Sequence, residues 1–233
     1  MRRDATDTIA PTSSFGDPET GNEKPEIVAP GTNITAGGFN MSVTSMVSPH
    51  AAGFAADMLS KYSWLRFRPS LVNANLLSGA TDPIAAAAGA VGLGGIDFPS
   101  AAYNGYNVWW KGDNGDFDAW DAADGSADGF VEFDLFISNS WDSVRAVLSW
   151  LTRGSFTYAH RKDAHPIGTD LDFQVRDPNG ALLDVSLSFD DSFEDVEFSP
   201  TVSGTYSFRI DRFSNADPEN KLRMALAIDY FND

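Results

Sequence analysis

The sequence predicts a chain in two parts, an α/β segment over residues 1–104 followed by an all-β sandwich or jelly roll over residues 105–233. Three observations predict it. Composition shifts near residue 100, from small residues and Gly/Pro turns to short segments separated by Asp, Asn, Gly and Ser. In the first part, Met46, Ala51, Phe54, Ala55, Met58 and Leu59 recur at helical spacing. In the second the period falls to two, as where Leu171, Phe173 and Val175 alternate with Asp170, Asp172 and Gln174.

Residues 1–24 are polar, rich in Gly and Pro, and read as loop. Ile27-Val28-Ala29 is a short apolar strand candidate closed by Pro30-Gly31. The helical pattern from Ser45 to Lys61 follows. Pro69 then takes the first position of a second helix, where its missing N–H costs nothing. That helix carries Leu71, Val72, Ala74 and Leu76 and stops at Gly79. Candidate strands in the second part are Phe130–Ser138, Ser143–Leu151, Asp170–Arg176, Ala181–Phe189, Phe193–Phe198, Gly204–Arg212 and Leu222–Tyr230. Asp177-Pro178-Asn179-Gly180 is a strong turn between two of them. Strands this short and this regularly spaced argue for a sandwich or jelly roll. Asp113–Gly129, rich in Asp, Gly and Ala, reads as an exposed loop.

Composition excludes several classes. The chain is 42% hydrophobic, with 17 Phe and 6 Trp, enough apolar side chain for a packed core. The formal net charge of −17 repels phosphate backbones and anionic lipid, so neither nucleic acid nor a membrane surface is an expected partner. Without cysteine there is no disulfide framework, thiolate metal site or catalytic thiol. The N-terminal Met1-Arg2-Arg3-Asp4 has no apolar run behind it, so it is not a signal peptide. The apolar stretch Ile84–Ile96 is too short to span a bilayer.

Two stretches carry chemistry. One is Lys24-Pro25-Glu26-Ile27-Val28-Ala29-Pro30-Gly31-Thr32; the other is Thr44-Ser45-Met46-Val47-Ser48-Pro49-His50-Ala51-Ala52-Gly53. Here the sequence resembles the subtilase family of subtilisin-like serine proteases. Members carry Lys-Pro-Asp-(Ile/Val)-x-Ala-Pro-Gly and then Gly-Thr-Ser-Met-Ala-(Ser/Thr)-Pro-His-Val-Ala-Gly, whose first Ser is the nucleophile. Ser13-Ser14-Phe15-Gly16, the Arg68–Ala80 stretch and Gly92-Leu93-Gly94-Gly95-Ile96-Asp97 resemble further family segments in the same order. The resemblance implies the C-terminal portion of a subtilisin-like parallel-sheet catalytic domain. It also implies Ser45, rather than Ser48, as the nucleophile, a polypeptide substrate, an extracellular location and no required cofactor.

A serine hydroxyl is a weak nucleophile until a base takes its proton. Ser45 sits where a loop enters a helix, so unpaired N–H groups and the positive helix end can stabilise an oxyanion, with the Ser45 N–H itself a donor. His50, five residues along the same helix, cannot comfortably turn its ring onto Ser45 and reads as structural. His160 and His165 follow the serine, whereas the family order is Asp, His, Ser. No His precedes Ser45; Asp4, Asp7 and Asp17 lack the family's Asp context, and Asn22 lies too close to the Lys-Pro-Glu motif to be its oxyanion Asn. The chain is therefore expected to begin late in a catalytic domain, without the other triad members, and to be inactive alone, because a serine without its base loses orders of magnitude in rate. Val43 stands where the family has Gly, and a β-branched residue there is expected to crowd the substrate or alter the turn. Its first hundred residues, lacking most of their own sheet, are expected to be the less stable half, while the β half folds alone.

The second half resembles the jelly-roll domain that follows the catalytic domain in one subtilase branch. The marks are Val144–Trp150, Thr169–Val175 with the Asp177–Gly180 turn, Phe193–Phe198 and Ser203-Gly204-Thr205-Tyr206. Asp170 and Asp172 fall on one face of a strand, where they could share a structural Ca²⁺ or simply face solvent. The competing function is a non-catalytic remnant whose jelly roll binds protein or carbohydrate. A lipase-type hydrolase fails because no Gly-x-Ser-x-Gly elbow surrounds the candidate serine.

Overall fold

The computed structural model describes residues 8–16, 24–81, 84, 90–103, 105–110, 130–152, 167–189, 191–215 and 222–232. The acidic loop expected over Asp113–Gly129 lies outside these residues, as do Asp4, Asp7, Asp17, Asn22, His160 and His165.

Period-two sequence builds the second half. The strands are β3 (Tyr106–Trp110), β4 (Phe130–Ile137), β5 (Ser143–Thr152), β6 (Thr169–Arg176), β7 (Leu182–Ser186), β8 (Phe193–Phe198), β9 (Gly204–Asn215) and β10 (Leu222–Phe231). They form two antiparallel four-stranded sheets, ordered β3-β10-β5-β8 and β4-β9-β6-β7. Alternate side chains meet between them. Val144, Ala146, Leu148 and Trp150 of β5, with Leu222, Met224, Leu226 and Ile228 of β10, face Leu171, Phe173 and Val175 of β6 and Tyr206, Phe208 and Ile210 of β9. Buried Trp150 keeps its polar atom satisfied, its Nε1 donating to the Thr169 carbonyl at 2.9 Å. Asp177 closes the expected turn: Gly180 N donates to its carbonyl at 2.9 Å, and the amides of Asn179 and Ala181 donate to its Oδ1. The strand expected over Ala181–Phe189 is shorter in the structure, and β3 was not anticipated. Among the described strands β3 is an edge strand paired with the distant β10, a partner that local sequence does not announce.

The first half holds a hairpin of β1 (Ile34–Ala36) and β2 (Phe39–Met41), then a 3-10 turn at Thr44–Met46 and helix α1 (Val47–Lys61). A 3-10 turn at Ser63–Phe67, α2 (Pro69–Ser78) and α3 (Phe98–Tyr103) complete it. The second helix starts at Pro69 and ends at Gly79 as its sequence dictates. The strand expected at Ile27–Ala29 is a single parallel bridge, Val28 to Gly95, with Val28 N donating to Gly94 O at 2.9 Å and Ile96 N to Val28 O at 2.8 Å.

What these helices pack on differs from expectation. Helix α2 lies on the outer face of the sheet containing β5 and β10. Leu77 joins Val147 and Phe193 in one buried cluster; Met58, Leu65, Leu71 and Ala101 join Ala225 in another. Polar contacts seal the junction. Asn73 Nδ2 donates to Ser149 Oγ at 3.0 Å. Arg145 Nη1 donates to the carbonyls of Ala80, at 2.6 Å, and Leu93, at 3.2 Å, while its Nε and Nη2 hold Glu197. The described helices of the first half therefore rest on the sandwich, and β5 is buried on both faces from Val144 to Trp150.

Candidate active site

Ser45 lies in the 3-10 turn Thr44–Met46 that leads into α1, and it is exposed. Two features set the turn. Met46 N donates to Val43 O at 3.0 Å. Gly31, at the end of the Ala-Pro-Gly loop, passes so close that an added Cβ would meet Val47 Cγ2 at 2.5 Å. The two motifs that point to Ser45 are thus brought together in space. Val43 has φ −154° and ψ 158°, extended backbone that suits a β-branched residue, so it sits there without strain.

Helix α1 begins with no side-chain cap and no acidic residue in its first turn. Its first N–H, on Val47, donates to the Thr44 carbonyl and Pro49 has none, so what the helix start turns toward Ser45 is chiefly its positive end. His50 turns away: its Nδ1 donates to the Met46 carbonyl at 2.7 Å, one helical turn back. Among the described residues no side chain hydrogen-bonds the Ser45 hydroxyl. The arrangement places an exposed serine hydroxyl at a helix start, with no base beside it among the described residues.

Lys24 and Glu26, from the first motif, pair with each other, and Lys24 Nζ also reaches buried Asp191 at 3.5 Å. This motif is thereby tied to the loop before β8 in the sandwich.

Asp170 and Asp172 do not share one open face. Asp170 is buried, at a register shift between Asp170 and Leu171 against β9, whereas Asp172 is half-buried. Burial, together with the nearby Asp211 carboxylate, raises the Asp172 pKa above the ordinary value. A Ca²⁺ shell takes about six to eight oxygens. Among the described residues no group of three or more His, Asp or Glu side chains converges, and this pair alone does not furnish the shell.

Besides Asp191, two buried carboxyls went unnoticed in the sequence. Glu194, on β8, accepts from Ser186 Oγ and from Ser188 N, and burial pushes its pKa up to about 8. Asp229, on β10 under α2, is pushed up to about 7 by burial, against hydrogen bonds from Ser78 and the Gly105 amide and the charge of Arg145. The available signal was a lone acid in the strand Leu222–Phe231, on the same side as Ala225 and Ala227.

Solved structures with a likeness to part of the chain include a periplasmic inhibitor of g-type lysozyme from Aeromonas hydrophila, 12% identical, covering 54% of this chain and 87% of that one with a TM-score of 0.28. Another is a Sulfurospirillum deleyianum protein, 13% identical, covering 54% and 98% with a TM-score of 0.30. Likeness this weak carries no argument. Residues 3–100, the stretch that holds Ser45 and both of its motifs, match the model of the subtilase family.

Proposed function

We propose that residues 1–104 are the C-terminal portion of a subtilisin-like catalytic domain, and that Ser45 is the nucleophile of a serine endopeptidase. The observation that carries this reading is the juxtaposition of the Ala29-Pro30-Gly31 loop with the Ser45 turn at an uncapped helix start, within the family-matched stretch. In the reaction, Ser45 Oγ attacks the peptide carbonyl carbon as its proton passes to a base. The oxyanion is held by backbone N–H groups, and the amine leaves with that proton. Water then hydrolyses the acyl-enzyme by the same steps. The base, its Asp and the oxyanion Asn are supplied from outside this sequence. Secretion accompanies this reading, and no described helix is long and apolar enough to cross a membrane.

The sandwich is read as the family's jelly roll. Its interleaved strand order, β3-β10-β5-β8 over β4-β9-β6-β7, supports this. A second reading is a non-catalytic remnant whose jelly roll binds protein or carbohydrate. What favours it is a Ser45 hydroxyl with no base beside it among the described residues.

Fluorophosphonate labelling separates the two. The 233-residue chain alone is expected to remain unlabelled. Mixed with a polypeptide carrying the missing triad segments, it is expected to label at Ser45, to lose labelling in Ser45→Ala and to keep it in Ser48→Ala. Labelling that survives Ser45→Ala sinks the nucleophile assignment.

A further inference from the structure

Ser45 stands at the end of α1 that the core does not reach. The buried residue of that helix is Met58, near its far end, clustered with Leu65, Leu71 and Ala101. At the near end the Thr44–Met46 turn is met by Gly31. A Cβ on Gly31 would lie 2.5 Å from Val47 Cγ2 and 3.4 Å from the Val43 carbonyl oxygen, the oxygen to which Met46 N donates. The place of the Ser45 turn is therefore set by what holds the Ala29-Pro30-Gly31 loop.

A short backbone ladder holds that loop. Leu93 N donates to Glu26 O at 2.9 Å, Val28 N to Gly94 O at 2.9 Å, and Ile96 N to Val28 O at 2.8 Å. On its other side Gly95 exchanges bonds with Thr81, each at 2.9 Å. One side chain grips the ladder from outside. Arg145 of β5 donates from Nη1 to Ala80 O and to Leu93 O, at 2.6 and 3.2 Å, the carbonyls next to Thr81 and Gly94. Its Nε and Nη2 both donate to Glu197 Oε2, at 3.1 and 3.0 Å, which fixes the plane of the guanidinium. Arg145 is buried, so water does not readily replace a bond lost there. A lysine ammonium is a point charge on a flexible stem, and it cannot hold a carboxylate and two carbonyls in one rigid fork.

On the reading of Ser45 as a nucleophile, we propose that Arg145, a residue of the sandwich, is a positioning residue for it. The guanidinium holds the Ser45 turn in place through Leu93, Val28 and Gly31. Amide hydrogen exchange in the full chain tests the hold. Arg145→Lys is expected to speed exchange at Val28, Ile96 and Met46 at least tenfold more than at Leu148 in the inner core. Leu77→Ala, which loosens the same junction without touching the ladder, is expected to speed those three amides no more than Leu148. Labelling tests the use of the hold. In the chain mixed with a polypeptide carrying the missing triad segments, Arg145→Lys is expected to slow fluorophosphonate labelling of Ser45 at least tenfold, while Leu77→Ala keeps the parent rate. Exchange in Arg145→Lys that rises equally at Val28, Met46 and Leu148 overturns the proposal and leaves Arg145 a general stabiliser. So does labelling of Arg145→Lys at the parent rate. If the parent mixture does not label, the nucleophile reading fails, and exchange alone decides whether Arg145 holds the turn. Should Arg145→Lys fail to fold, Glu197→Ala, at an exposed position, releases the guanidinium fork and is judged by the same comparisons.

Discussion

Asp229 and Glu194 concentrate the electrostatic cost of the fold in two carboxyls. Both are buried, and burial raises both pKa values, to about 7 and about 8. A carboxyl whose folded value lies above its unfolded one takes up a proton on folding. Its contribution is full below the unfolded value, near 4, and is lost as pH rises through the folded value. The chain is therefore expected to be more stable at pH 5 than at pH 8. Asp229→Asn, which keeps the shape and removes the ionisation, is expected to flatten that slope in urea unfolding at the two pH values. An unchanged slope would show that Asp229 is solvated. Ser45 and Asp229 differ in legibility for a physical reason. The first is bracketed by local motifs that fix its turn. The second is defined by α2, far away in sequence, lying over its strand. Asp170 is a related case: alternation put it on an outward face, and in the structure it is buried, beside a register shift against β9.

Elements were legible where local rules decide them. Pro69 and Gly79 bound α2, and Asp177–Gly180 turns between β6 and β7. The edge strand β3 and the Val28–Gly95 bridge depend on distant partners and were not legible to the same degree. Two glycines separate conformational need from close approach. Gly180 has φ +83° with nothing within 4 Å of an added Cβ, so Gly180→Ala is expected to cost about 1–2 kcal/mol from backbone strain alone. Gly92 has φ +56°, and its added Cβ would also meet the carbonyl oxygens of Glu26 and Pro25 at 2.2 and 2.3 Å. Gly92→Ala is expected to add about 1–3 kcal/mol of crowding to the strain. Urea midpoints should rank the parent chain above Gly180→Ala and that above Gly92→Ala. The reverse order of the two variants would mean that the loop carrying Gly92 yields freely.

At the scale of the whole molecule, the expectation of a self-sufficient β half beside a weak first hundred residues meets a shared core. The β5 sequence Val144-Arg145-Ala146-Val147-Leu148-Ser149-Trp150 alternates for the inner core, yet every one of these residues is buried. The residues between the core positions, Arg145, Val147 and Ser149, are covered by α2 and its flanking loops through Ala80, Leu77 and Asn73. A sandwich stripped of that cover exposes Val147, Phe193 and Ala225 to water and leaves Arg145 and Asp229 without their partners across the junction. Helices and sandwich should then unfold in one transition. Tryptophan supplies the test, because Trp64 and Trp109 pack beside the helices while Trp150 is buried between the sheets. Leu77→Ala removes an apolar side chain from the junction cluster and is expected to cost about 2–5 kcal/mol. Under urea, single-Trp variants reporting from Trp64 and from Trp150 should keep a common midpoint, and Leu77→Ala should lower both equally. If Leu77→Ala lowers the Trp64 midpoint and leaves the Trp150 midpoint in place, the sandwich stands alone and the helices are its passengers.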